Sequence, residues 1–176
     1  MNVFNVCLLP DENYAKSISD YSQGIAKNND AVYVLGDKSF AHMTVLQFET
    51  NKSEQEIADL FERYDGRRVF NININKMVVN PAKDGIVSCD IGVDVSDALI
   101  NLQKEIIKHF KRTIKMILNK IDEDYYPHFT VTMIKTPKDK IIKMPEVPKE
   151  LVKQNNIACR LSLGLSGSNY QVVKVY

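Results

Sequence analysis

Two tetrapeptides of one pattern stand far apart in this chain: His42-Met43-Thr44-Val45 and His128-Phe129-Thr130-Val131. The chain has 176 residues and three histidines. Two of the three therefore share one context, at a spacing of about half the chain. In an extended strand, residues i and i+2 project from the same face about 7 Å apart. His42 and Thr44 then point one way, and Met43 and Val45 the other, toward a core. The same holds for His128 and Thr130 against Phe129 and Val131. Two such strands side by side would bring two imidazoles and two hydroxyls onto one small anion.

A phosphodiester suits that set. Its cleavage needs a base to activate the attacking oxygen and an acid to protonate the leaving one. Imidazole, with an unperturbed pKa near 6.5, does either at neutral pH. Threonine hydroxyls can donate to the non-bridging oxygens, where charge grows in the transition state. His42 and His128 are the expected catalytic pair, with His128 as base and His42 as acid, and Thr44 and Thr130 are the expected phosphate ligands. Tyr126 has the strand parity of His128, and Phe48 that of His42, so each is a candidate to stack on a base. The scheme calls for no cofactor and no metal, and the chain has no H-E-x-x-H motif. His109, between Lys108 and Phe110, is expected to be a helix residue without a catalytic role.

The elements that must position these residues follow from periodicity and punctuation. Val3–Leu9 reads as a strand closed by Pro10, and Asp11-Glu12 opens a helix to about Lys27. Strands are expected over Ala31–Leu35 and Phe40–Phe48. Ser53 with Glu56 is a capping-box signature for a helix to Tyr64, stopped by Asp65-Gly66. Two strands, Val69–Val79 and Gly85–Val93, are joined by a reversal over residues 80–85. Ser96 or Asp97 caps the longest helix, with Leu99, Leu102, Ile106, Phe110, Ile114 and Ile117 on one face. Tyr126–Ile134 is a strand, Lys135–Pro148 an irregular Lys/Pro loop, and Lys149–Lys153 a short helix. The last strands are Ile157–Leu165 and Tyr170–Val175, turning at residues 166–169. Each half thus offers a helix, a His/Thr strand, a further helical piece and a pair of strands, which points to an α+β fold of two similar lobes.

The bulk numbers fit a single domain over residues 1–176. Apolar residues make up 44% and charged residues 26%, the balance of a globular chain and not of a disordered one. No apolar run approaches a membrane span, and the N-terminus does not read as a signal peptide. Cys7, Cys89 and Cys159 are scattered, which predicts packed, reduced thiols and a cytoplasmic setting. The net charge of +1 is unevenly spread: 9 Lys/Arg face 15 Asp/Glu in residues 1–100, and 13 face 7 in residues 101–160. A basic segment of that kind can meet a polyanion such as RNA.

The paired H-Φ-T-Φ motifs, the second preceded by proline in Tyr126-Pro127-His128-Phe129-Thr130-Val131, resemble those of the two-histidine (2H) phosphoesterase superfamily. That group includes LigT-like RNA 2′,3′-cyclic phosphodiesterases and 2′-5′ oligonucleotide phosphodiesterases. The first motif, Ala41-His42-Met43-Thr44-Val45-Leu46-Gln47-Phe48, and the opening strand, Pro10 and helix look like the family's as well. The resemblance implies a bilobal, pseudo-symmetric α+β fold of two interleaved lobes, with two antiparallel sheets lining a central cleft and helices outside. It also implies metal-independent action on 2′,3′-cyclic phosphates or 2′-5′ linkages of RNA or nucleotides; a monomer with no obligate protein partner is expected. A non-catalytic RNA-end-binding module and an RNA 2′-5′ ligase are the alternatives. The Lys/Pro loop after the second motif departs from the family's pattern and leaves the substrate open.

Overall fold

A computed structural model describes the chain except for residues 65–67, 82–84, 137–143, 153 and 168–170. The Asp65-Gly66 helix stop and parts of the 80–85 reversal, the Lys/Pro loop, the short helix and the last turn fall outside the described residues. Among the described residues ten strands form one antiparallel sheet: β1 (Asn2–Pro10), β2 (Ala31–Val34), β3 (Met43–Thr50), β4 (Val69–Ile72), β5 (Ile74–Pro81), β6 (Ile86–Val93), β7 (Met116–Ile117), β8 (His128–Lys135), β9 (Ile157–Ser166) and β10 (Val172–Val175). The order is β10-β9-β1-β3-β8-β6-β5, with β2 on β8, β4 on β9 and β7 on β3. The class is α+β, as expected. Where two sheets were expected, one continuous sheet is found, because β3 and β8 join at the pair Met43↔Phe129.

Three helices, α1 (Glu12–Ala26), α2 (Glu54–Phe61) and α3 (Asp97–Phe110), carry apolar faces. Asp11, Ser53 and Ser96 cap them by accepting from the N–H groups of Tyr14, Glu56 and Leu99. The capping box of Ser53 and Glu56 is complete. Helices α1 and α3 cover one face of the sheet: Tyr14 packs edge-on against Phe129, and Phe110 against Phe48. Met43, Val45, Phe129 and Val131 are all fully buried. The cysteines are buried free thiols, and burial pushes Cys7 and Cys159 up to about 12 and Cys89 to about 11. Among the described residues no helix is long and apolar enough to cross a membrane.

Three elements differ from the sequence reading, each for a tertiary reason. Helix α3 ends at Phe110, whose carbonyl accepts from the backbone and hydroxyl of Thr113. Met116 and Ile117 then pair with Glu49 and Phe48 as β7 and do not extend the helix. The expected strand Val69–Val79 is two strands, because the first pairs with β9 and the second with β6. Between them Asn73 turns its polar groups outward, accepting from Asp94 on its carbonyl and from Asn156 on its side chain.

Both His/Thr strands carry a β-bulge at the valine of the tetrapeptide. On β3, Cys7 faces Thr44 and Val6 faces Leu46, so Val45 is the extra residue. On β8, Asp90 faces Thr130 and Cys89 faces Thr132, so Val131 is the extra residue. A bulge leaves backbone groups without ladder partners, and here a buried helix side chain meets each one. Gln103 of α3 donates to the Val45 carbonyl at 2.9 Å and accepts from the Asp122 N–H. Ser22 of α1 donates to the Val131 carbonyl at 2.6 Å and accepts from the Leu35 N–H. Each helix thus holds the bulge of one motif and the segment leading into the other. Replacing Ser22 by Ala orphans the buried Leu35 N–H, and replacing Gln103 by Leu takes a donor from the buried Val45 carbonyl and the acceptor from the Asp122 N–H. The expected loss is about 2 kcal/mol for each substitution, read from urea unfolding midpoints at unchanged m-value.

Candidate active site

The pair Met43↔Phe129 sets the geometry of the site. In an antiparallel ladder, the residue before Met43 lies across from the residue after Phe129. His42 is therefore set beside Thr130, and Thr44 beside His128, on the face opposite the core. The arrangement is two His/Thr pairs running head to tail. The imidazoles are close enough that the charge of His128 disfavours protonation of His42.

Both rings are held in the same way. His42 Nδ1 lies 2.8 Å from the Phe40 carbonyl, and His128 Nδ1 lies 2.8 Å from the Tyr126 carbonyl, each two residues back. A carbonyl oxygen carries no proton, so Nδ1 must be the donor in each bond. The neutral ring then leaves Nε2 with a lone pair free for chemistry.

The two histidines differ in burial. His42 is 9% exposed, and its pKa is lowered to about 4; loss of hydration is the main cause, the bond to the Phe40 carbonyl opposes it, and the charge of His128 adds to it. His128 is half-buried and borders a pocket of about 280 Å³ lined by Thr44, Leu118, Asn119, Lys120, Tyr125 and Tyr126. Burial thus keeps the His42 ring neutral, with its Nε2 lone pair unprotonated.

Thr44 and Thr130 are half-buried on the site face. Thr44 is held from three sides. Its hydroxyl oxygen accepts from Asn5 Nδ2 at 2.9 Å, its carbonyl from the Tyr125 hydroxyl at 3.0 Å, and the next carbonyl from Gln103. Asp90, facing Thr130 in the register, is buried and accepts on one oxygen from Asn80 and Ser88. Gly92 faces His128, and Lys76 faces Gly92, so this lysine shares the site face across an open row.

Of the two aromatic candidates, Tyr126 is at the site and Phe48 is not. The Tyr126 ring is 38% exposed and stacks on His128 at 4.8 Å between centroids. Its hydroxyl pKa is raised by burial and by the charge of Asp90, against a bond from Asn80. Phe48 is fully buried against Phe4 and Phe110. The bulge at Val45 shifts the parity of every later residue in β3, which turns Phe48 into the core and Gln47 toward the site face. His109 lies on α3 away from the motifs, between the Arg63 side chain and the Leu60 carbonyl.

Asn5, Tyr125, Gln103 and Asp90 were missed as site residues. Asn5 and Gln103 had a signal, since each is an amide set in an otherwise apolar run or face. Tyr125 and Asp90 had none. No protein-family model matches the chain, and no curated protein matches it.

The buried neutral His42 links stability to pH. Its pKa is near 6.5 unfolded and about 4 folded, so the unfolded state binds the extra proton between those values. Stability is at its full value above pH 6.5 and falls as pH drops to 4, by about 3 kcal/mol from this group. Urea titrations of wild type and His42→Asn across pH 4–7.5 are expected to show a shallower acid loss in the variant. An equal loss in both would rule out this assignment.

Proposed function

We propose that this chain is a phosphodiesterase acting on 2′,3′-cyclic phosphate or 2′-5′ linkages of RNA or nucleotides, through His42 and His128. The observation that carries the reading is the Met43↔Phe129 pair, which sets two His/Thr pairs, their imidazoles held alike, head to tail on one face. The two bulges and the exchanged supports of Ser22 and Gln103 favour a pseudo-symmetric, bilobal reading of the sheet, centred on that pair. The resemblance of the motifs to 2H phosphoesterases points the same way.

Burial gives the reaction a direction. His42 Nε2, neutral at pH 7, takes the proton of a water as its oxygen attacks phosphorus. The Thr44 and Thr130 hydroxyls donate to the non-bridging oxygens as charge builds on them. His128 gives its proton to the departing ribose oxygen, and the P–O bond to that oxygen breaks. The pocket beside His128 has room for part of the nucleoside that keeps the leaving oxygen, and Tyr126 and Lys120 are on its wall.

A metal-free panel of 2′,3′-cyclic nucleotides, 2′-5′ oligoadenylate and cyclic-ended RNA tests the proposal. Turnover is expected on at least one substrate, unchanged by EDTA and bell-shaped in pH. His42→Ala and His128→Ala are each expected to lower kcat by about 10²–10⁴-fold. Salt-dependent RNA binding without turnover would replace the enzyme by a binding module. Near wild-type turnover in either histidine variant would refute the mechanism.

A further inference from the structure

Asn5 sits in the middle of β1, between Phe4 and Val6, and is fully buried. An amide at that place in a core strand is costly unless its polar atoms are engaged. Its Nδ2 is engaged, by the Thr44 hydroxyl at 2.9 Å, while its Oδ1 is buried with no partner. The residue therefore keeps one side-chain hydrogen bond, and that bond ends on a residue of the site. Packing alone is better served by an apolar side chain, because the unpartnered carbonyl gains nothing from burial.

The direction of the bond matters. An N–H donated to the Thr44 oxygen occupies one of its lone pairs and leaves the hydroxyl hydrogen to point elsewhere. Tyr125 and Gln103 hold the Thr44 and Val45 carbonyls and so fix the backbone that carries the Thr44 side chain, whose branched Cβ restricts its rotamers. On the other motif the place that matches Asn5 by register is Ser88, across from Met133, and its hydroxyl donates to Asp90. The donated N–H is therefore particular to Thr44.

We propose that Asn5 is a positioning residue that sets the Thr44 hydroxyl as a hydrogen-bond donor to the substrate's phosphate oxygen. This rests on the phosphodiesterase reading above. Asn5 touches no substrate; it acts through Thr44 alone, by fixing which way the hydroxyl proton points before the anion arrives.

A double-mutant cycle tests it. Asn5→Leu and Thr44→Val are each expected to lower kcat/KM on the best cyclic nucleotide about tenfold and to weaken inhibition by inorganic phosphate in proportion. The double variant is expected to be no worse than Thr44→Val alone, since Asn5 has nothing left to orient. Additive losses overturn the proposal. Should Asn5→Leu fail to fold, the side-chain amide resonances of Asn5 serve in the wild type and in Thr44→Val. One Nδ2 proton is expected to shift with the substitution and again when phosphate is added to wild type. Amide resonances indifferent to Thr44→Val overturn the assignment. Additive losses in an active enzyme sink this proposal alone; a wild type inert on the whole panel and blind to phosphate sinks the phosphodiesterase reading, and this one with it.

Discussion

The whole arrangement depends on one cross-strand pair. β3 and β8 meet at Met43↔Phe129 and then part. Separating strands leave backbone N–H and C=O groups facing nothing, which a buried sheet does not tolerate. Two short strands take up those edges: β7 pairs with β3 at Phe48 and Glu49, and β2 pairs with β8 at Thr132 to Ile134. The β3–β8 ladder is thereby confined to the place where the two tetrapeptides cross. A longer β3–β8 ladder would slide the His/Thr pairs apart with any slip of register; a single pair, walled in by β2 and β7, leaves no alternative register to adopt.

The bulges follow from the same demand. Each tetrapeptide must show His and Thr to one side and then return its strand to ordinary core packing. Without the extra valine, Thr132 would share a face with His128 and Thr130, and Phe48 with His42 and Thr44. With it, Thr132 is buried and donates to the Tyr33 carbonyl, and Phe48 joins the aromatic cluster around Phe110. The bulge ends the polar face after one His and one Thr. Its open carbonyls need donors, and Ser22 and Gln103 supply them from α1 and α3. Since each also binds the segment leading to the opposite motif, loosening one motif disturbs the approach to the other.

This explains what the sequence disclosed about the site and what it withheld. The His/Thr parity was legible because it is local: i and i+2 share a face over the three residues from His42 to Thr44, before the bulge intervenes. The caps at Asp11, Ser53 and Ser96 were legible for the same reason. Phe48 was misplaced because parity was carried across a bulge, and no residue in Met43–Thr50 announces one. The end of α3 was overrun because Ile114 and Ile117 keep the helical spacing, yet Ile117 faces Phe48 from β7. Tyr125 stayed hidden because its work is a contact made 81 residues away along the chain, and the amide of Asn5, though visible in its apolar strand, gave no sign of the partner 39 residues on.

Near symmetry alone would make a poor acid–base pair, since two identical imidazoles in identical surroundings share one protonation preference. Useful work requires the environments to push them apart. The scaffold repeats the bond to the i−2 carbonyl and the bulge, and differs in solvent. On one side His42 is buried, and its ring loses its hydration and with it the means to hold a charge. On the other, Gly92 places no side chain beside His128, and a pocket opens along it. A Cβ at Gly92 would stand in ordinary contact with the Lys76 carbonyl at 3.5 Å and the Tyr126 hydroxyl at 3.6 Å. The two rings are thus held alike by the chain and differ in their surroundings, burial at His42 and an open pocket at His128.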